Sequence, residues 1–267
     1  PAQLPLLREF AGQGLIVWLK IDTGMHRLGI EVEQAADVLA ELQDMPGVAE
    51  VRLMTHLAAA DELQNPATRE QVKQFQRVSQ GFPGAISVAN SAAIFDSNFA
   101  VDDRTVWGHG GDTWIRPGIA LYGISPYVER CGAELGLRAA MEFETRLLAV
   151  KPLCAGARVG YGGHWVAAED TVIGIIAAGY GDGYSRYVPS GTPVLVNGRK
   201  VPVAGTVSMD LCAVDLGPGA TDCPGDSVLL WGSALPVEEV ARHAGTIAYQ
   251  LVTGVMHREE PKIVAAG

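Results

Sequence analysis

At 267 residues the chain is long enough for one large domain or two ordinary ones, with a sizeable buried core. Hydrophobic residues make up 48% and charged residues 19%, as in a compact globular protein, and no uncharged apolar run is long enough to span a membrane. A net charge of −10 without a basic patch argues against a nucleic-acid partner, and Cys131, Cys154, Cys212 and Cys223 show neither CxxC pairing nor metal-ligand spacing, which fits free thiols in a reducing cytoplasm.

The first residues read as the end of a helix running into a strand, LIVWLKID (15–22). A helix is expected over Val32–Leu42 from its apolar spacing. VRLMTHL (51–57) is a second strand, followed by an amphipathic helix over Pro66–Ser79. AISVAN (85–90) is a third, leading into a short helical SAAIF, and WIRPGIALYG (114–123) is a fourth unit. Apolar strands alternating with helices imply parallel βαβ units covered on both faces. From about Met141 the pattern changes to successive strands: FETRLLAVKPL, TVIGIIAAGY, TPVLVNGRKVPVAGTV, DLCAVDL and DSVLLWG. Asn197-Gly198 marks a hairpin, since a type I′ turn needs positive φ at both central residues. A helix over Val237–Val255, broken near Gly245, closes the chain.

The fold class expected is α/β, with a barrel-like portion over 1–136 and a mainly β domain over 137–267. A closed parallel barrel takes eight βα units, roughly 250 residues in the usual case, so four units here imply that about 100 residues of barrel are wanting in front of Pro1.

Polar residues gather at the ends of successive strands, where barrel enzymes place their chemistry. Lys20, Asp22 and Arg27 lie at the tip of the first strand and in its loop, and His56 lies at the tip of the second. Asn90-Ser91 reads either as a plain helix cap or as an anion site. Arg116 ends a strand, and Gly118 would allow close backbone approach, so a phosphate could rest on the Gly118 and Ile119 amides with Ser91. In the β half, Tyr161 stands between glycines in VGYGG, as either a loop anchor or a functional phenol. The glycine run in AAGYGDGYSR lacks the helix and the acidic residue of a dinucleotide loop. GHGGD (108–112) has no GxSxG to accompany it as an oxyanion loop, and its role is open.

Taken in order, K-I-D-T-G-M-x-R-L-G, T-H-L-A-x-A-D-E, A-N-S-A-A, R-P-G-I-A-L-Y-G, V-G-Y-G, A-x-G-Y-G-D-G-Y-x-R and G-x-V-S-M-D resemble the signature series of the bacterial alanine racemases, from Lys20 to Tyr249. The resemblance implies a pyridoxal 5′-phosphate (PLP) binding (β/α)8 barrel followed by a β domain, in a head-to-tail homodimer with shared active sites. It implies that Arg116 meets the pyridine nitrogen of PLP, supported by His56. Ser91, the Gly118 and Ile119 amides and Tyr249 would hold the phosphate. Arg27 would bind on the substrate-carboxylate side, held by a carbamylated Lys20, and the Met209 amide would meet the carboxylate. Tyr161 would be a catalytic base in the partner's site, and Asp61, Tyr180, Arg186 and Asp210 would line the entry path.

Racemisation needs acid/base groups on both faces of the substrate. The resemblance assigns the second to a Schiff-base lysine in a V-V-K-x-x-A-Y-G-H-G motif, and none of the five lysines (Lys20, Lys73, Lys151, Lys200, Lys262) stands in that context. The expectation is therefore a racemase fragment whose lysine-bearing segment is missing or carried by another chain, inactive by itself. The whole enzyme would supply D-alanine for peptidoglycan or act in alanine catabolism. The rivals are a broad-specificity racemase on the same scaffold and an inactive PLP-binding chain. HREEPKIV near the C-terminus departs from the apolar and basic ending that the family leads one to expect.

Overall fold

The computed structural model describes residues 2–9, 14–97, 99, 108–255, 258 and 262–264. By backbone contacts the chain divides after Gly118 into two compact units.

The first unit holds a five-stranded sheet. Helix α1 (Leu4–Arg8) precedes β1 (Leu15–Asp22), and a two-residue strand, β2 (Ile30–Glu31), pairs beside it. Then come α2 (Ala35–Gln43), β3 (Val48–Met54), α3 (Pro66–Ser79), β4 (Ile86–Asn90), α4 (Ser91–Phe95) and β5 (Thr113–Arg116). The order is β2-β1-β3-β4-β5 and every pairing is parallel. Consecutive strands joined by helices thus lie side by side, as covered apolar strands require. Leu53 and Ile86 are fully buried, as is Phe75 of α3. Full burial of each such side chain contributes about 1.5–3 kcal/mol. Asn65 caps α3 by accepting from the Ala67 amide at 3.0 Å, with Pro66 at its first position, the signal that makes this helix legible from sequence.

The second strand is displaced from its expected span. It begins at Val48 and ends at Met54, so Thr55, His56 and Leu57 lie beyond it. The Thr55 hydroxyl donates to Ile21 O at 2.9 Å and pairs with Thr23 at 2.8 Å, anchoring the chain where it leaves the sheet.

The GHGGD stretch is a packing device. Gly110 N donates to Phe82 O at 2.8 Å and Ile86 N to Asp112 O at 2.9 Å. A Cβ at Gly111 would lie 2.6 Å from the Ala85 nitrogen, so only glycine admits this backbone approach.

The second unit is a six-stranded antiparallel sheet, in the order β11-β10-β13-β6-β9-β12. Its strands are β6 (Phe143–Leu153), β9 (Thr171–Ile176), β10 (Pro193–Val196), β11 (Arg199–Pro202), β12 (Cys212–Asp215) and β13 (Ser227–Trp231). A bridge between Val203 and Val214 joins the ends of the two edge strands, so the sheet curls round on itself. Its interior is one cluster containing Leu147, Ile176, Val194, Val214, Leu230 and Trp231. The expected hairpin is present: Asn197 and Gly198 have φ of 49° and 77°, the pair of positive values a type I′ turn demands. A second small hairpin, β7 (Arg158–Val159) with β8 (Trp165–Val166), carries the Tyr161 turn; two residues per strand are too few for a sequence pattern. Two helices, α5 (Val237–His243) and α6 (Ala248–Gly254), flank the expected break. Glu238 is buried and accepts from the Ser125 and Gly132 amides at 2.9 and 2.8 Å, fastening that connecting segment to this unit.

Candidate active site

In the first unit the expected residues come together at the C-terminal ends of the strands. Arg116, the last residue of β5, uses its fork in three directions. Nη1 donates to Ser87 Oγ at 2.5 Å, and Nη2 donates to Thr55 O at 2.7 Å and Val88 O at 3.3 Å. Nη2 also faces His56 Nδ1 at 3.3 Å. Because arginine stays protonated, Nδ1 must act as the acceptor and the ring must be neutral with its proton on Nε2. Burial, followed by the charges of Arg116, Arg27 and Lys20, pushes the His56 pKa down and favours that state.

Lys20 lies in the same field. Burial lowers its pKa first, then Arg27 and Arg116, with Asp22 opposing. That carboxylate is already engaged, because its Oδ1 accepts from the Gly24, Met25 and His26 amides, each at 3.0 Å. Three cations with one committed counter-charge make a site suited to an anion. Asn90 is the cap of α4, accepting from the Ala93 amide at 3.1 Å, so the cap is Asn90 alone and Ser91 is the first helical residue. A Cβ placed on Gly118 would have Ser91 Oγ as its nearest neighbour at 3.7 Å, so the missing side chain opens space beside that hydroxyl. A phosphorylated, nitrogen-containing ring fits this donor set: the Ser91 hydroxyl beside Gly118 for the phosphate, a fixed guanidinium for the ring nitrogen, and further cations for a carboxylate joined to it. Asp61 lies exposed in the loop between β3 and α3.

A separate cluster forms in the second unit, where three glycine-rich loops pack together. Tyr161 starts a single tight turn between Gly160 and Gly162, whose φ values are 74° and 75°. Its ring is not an anchor: Tyr161 is 68% exposed, too open for a packing role. The Thr206 hydroxyl donates to its carbonyl at 3.5 Å, which ties this turn to the loop carrying Met209. The 177–186 loop meets the same strand of chain: Tyr180 N donates to Ser208 O at 3.0 Å and Gly181 N to Met209 O at 2.8 Å. A Cβ at Gly179 would collide with the Ser208 and Met209 carbonyl oxygens. The Arg186 guanidinium sits 5.9 Å from the Tyr180 ring centre and donates to Val207 O at 3.2 Å. The segments carrying Tyr161, Tyr180, Arg186, Met209 and Asp210 are therefore bonded to one another, although they come from three separate motifs. Ile119 and Tyr249 also belong to this unit; Ile119 is buried and Tyr249 lies on α6.

Sequence reasoning missed several supporting groups. Ser87 and Thr55 hold Arg116, and Gln71 reaches from α3 to donate to His56 O at 3.0 Å while its Oε1 accepts from the Ala58 amide at 2.8 Å. Gln71 is buried on α3 by these contacts, which no single-sequence pattern marks. Arg258 was also passed over, yet it pairs with Asp210 at 2.5 Å.

Two family sequence models match the chain: the alanine racemase N-terminal domain over residues 1–126 and the alanine racemase C-terminal domain over 140–263. The alanine racemase of Shewanella amazonensis is 50% identical over 259 residues, which span 96% of this chain and 68% of the relative. That of Vibrio cholerae is 48% identical over 254 residues, 95% of this chain and 68% of the relative. Among solved structures, the biosynthetic alanine racemase of Pseudomonas aeruginosa superposes with a TM-score of 0.85 at 41% identity, covering 95% of this chain and 68% of that one. The Bartonella henselae alanine racemase, described with covalently bound pyridoxal phosphate, superposes with a TM-score of 0.78 at 27% identity, over 95% and 68%. Two matched domains in the same order, and a shared fold of α/β barrel domain followed by β domain, place the chain in the alanine racemase family.

Proposed function

We propose that this chain is the greater part of a PLP-dependent alanine racemase, interconverting L- and D-alanine by two-base proton transfer. The observation that carries the reading is the convergence of Lys20, Arg27 and Arg116 with His56 at the strand ends, a cationic setting with too little negative charge of its own. When bound, PLP supplies an electron sink that acidifies the α-proton of an amino acid joined to it. Arg116 would donate to the pyridine nitrogen, and as a permanent cation it would leave that nitrogen unprotonated. A weakened sink favours removal and return of one proton over transamination. Neutral His56 would keep the Arg116 fork in register. Ser91, the amides of Gly118 and Ile119, and Tyr249 would hold the phosphate.

The depressed basicity of Lys20 raises its share of neutral amine, the form that adds carbon dioxide to give a carbamate. As an anion, Lys20 would attract Arg27 instead of repelling it and hold that guanidinium toward the substrate carboxylate. The Met209 amide would receive the same carboxylate, and Asp61, Tyr180, Arg186 and Asp210 would line its approach. Tyr161 would take or return the α-proton on one face, in the active site of the partner subunit of a homodimer. The four free thiols support a reducing, cytoplasmic setting.

Tyr161 is one base of two. None of the five lysines has the sequence context of the second, so these 267 residues by themselves are expected not to racemise alanine. The test uses the protein encoded by the gene, with PLP and L-alanine in deuterium oxide. D-Alanine should accumulate, and both enantiomers should carry deuterium at Cα. No D-alanine from protein that has bound PLP would overturn the reading, and racemisation by the 267-residue polypeptide alone would overturn the one-base assignment. Borohydride reduction of the polypeptide with PLP should give no stoichiometric adduct on Lys20.

A further inference from the structure

Arg258 lies in the stretch after α6 that departs from the expected ending, and the structure gives it a place on the second unit's loop cluster. Its Nη1 lies 2.5 Å from Asp210 Oδ1 and 3.3 Å from Asp182 Oδ1. The other oxygen of Asp182 accepts from the Gly179 amide at 2.9 Å. The guanidinium packs over Gly181, where a Cβ would lie 2.6 Å from Nη1, and Gly181 N is bonded to Met209 O at 2.8 Å. Gly183, at φ +101°, rests its α-carbon against Val255, where a Cβ would come within 2.5 Å of the Val255 α-carbon. Val255 is thereby seated on the same loop. One cation thus ties the 179–183 loop to the loop carrying Met209 and Asp210.

Half of the Arg258 side chain is exposed, and Asp210 is more exposed still, so the pair adds little to folding stability. Its value lies in where the charge is. Asp210 directly follows Met209, whose amide is proposed above to receive the substrate carboxylate. An unpaired Asp210 there would repel a carboxylate arriving at the Met209 amide.

We propose that Arg258 is a positioning residue for substrate binding, holding the Met209 loop in place and cancelling the Asp210 charge beside the incoming carboxylate. The proposal rests on the racemase reading. In a reaction whose substrate and product are both amino-acid carboxylates, this cancellation acts on binding of either enantiomer more than on the proton transfers.

The test uses the gene-encoded holoenzyme. Arg258→Ala should raise KM for L- and D-alanine by roughly three- to tenfold, with a smaller change in kcat, the signature of lost binding in ground and transition states alike. Adding Asp210→Asn should restore most of that loss, because it removes the charge that Arg258 cancelled; Arg258→Lys should retain part of the binding. Independently of turnover, Arg258→Ala should speed amide hydrogen exchange over residues 208–211. An unchanged KM, a fall in kcat alone, no relief by Asp210→Asn, or unchanged exchange at 208–211 would each overturn the proposal. Absence of racemisation by the unmodified holoenzyme would instead overturn the functional reading, with the exchange measurement still reporting on the clamp.

Discussion

Arg116 Nη2 stands 3.3 Å from His56 Nδ1, a contact between a permanent cation and an imidazole that is favourable only while the ring is neutral. Folding therefore lowers the His56 pKa from its ordinary 6.5, and the unfolded chain binds more protons below that pH. The stability His56 permits is fully present above pH 6.5 and is lost as pH falls toward the depressed folded value. The melting temperature should drop across that window, and His56→Gln, which cannot protonate, should flatten the drop by about 2–4 °C. A proton-NMR titration with an imidazole midpoint above 6.5 would contradict this.

Gly179→Ala should be among the most damaging single-methyl additions. The new Cβ would strike the Ser208 and Met209 carbonyl oxygens, which are backbone atoms and cannot rotate aside. Overpacking of this kind costs about 1–3 kcal/mol, readable as a shift in urea midpoint. Because the displaced loop carries Met209, KM for alanine should rise too. An unshifted midpoint would mean that the two loops are not in van der Waals contact.

Thiol chemistry should divide the cysteines. Burial drives the Cys212 pKa up to about 12, so almost none of it is thiolate at neutral pH. Cys154 and Cys223 are exposed. Iodoacetamide at pH 8 should label Cys154 and Cys223 within the folded lifetime and spare Cys212 until denaturant is added, as peptide mass spectrometry would show. Early labelling of Cys212 would contradict the packing of β12 against the core.

Most of the chain's architecture was legible because its signals are local. The amphipathic spacing over Pro66–Ser79, the continuous apolar strand runs and Asn197-Gly198 each act within their own neighbourhood. Three things were not. The β3 boundary moved: the strand spans Val48–Met54, and just past its end the Thr55 hydroxyl bonds a carbonyl thirty-four residues away, a contact no periodicity carries. The gathering of Lys20, His56 and Arg116 could be suspected only because parallel strands bring their ends to one side. That Ser87 and Gln71 brace the site, or that Arg258 reaches Asp210, follows from contacts between remote segments that single-sequence patterns do not encode.

Tyr161 is exposed on its glycine-flanked turn and is proposed as the base on one face of the substrate. Because Tyr161 is largely exposed, Tyr161→Phe should leave the melting temperature unchanged while removing the phenolic proton. The decisive measurement follows α-deuterium incorporation by the gene-encoded holoenzyme bearing this substitution, starting separately from L- and D-alanine in deuterium oxide. Interconversion should fall by at least about a hundredfold, the scale of a lost general acid/base, with exchange surviving for one enantiomer only. Undiminished racemisation, or exchange lost equally from both enantiomers in protein that still binds PLP, would contradict it.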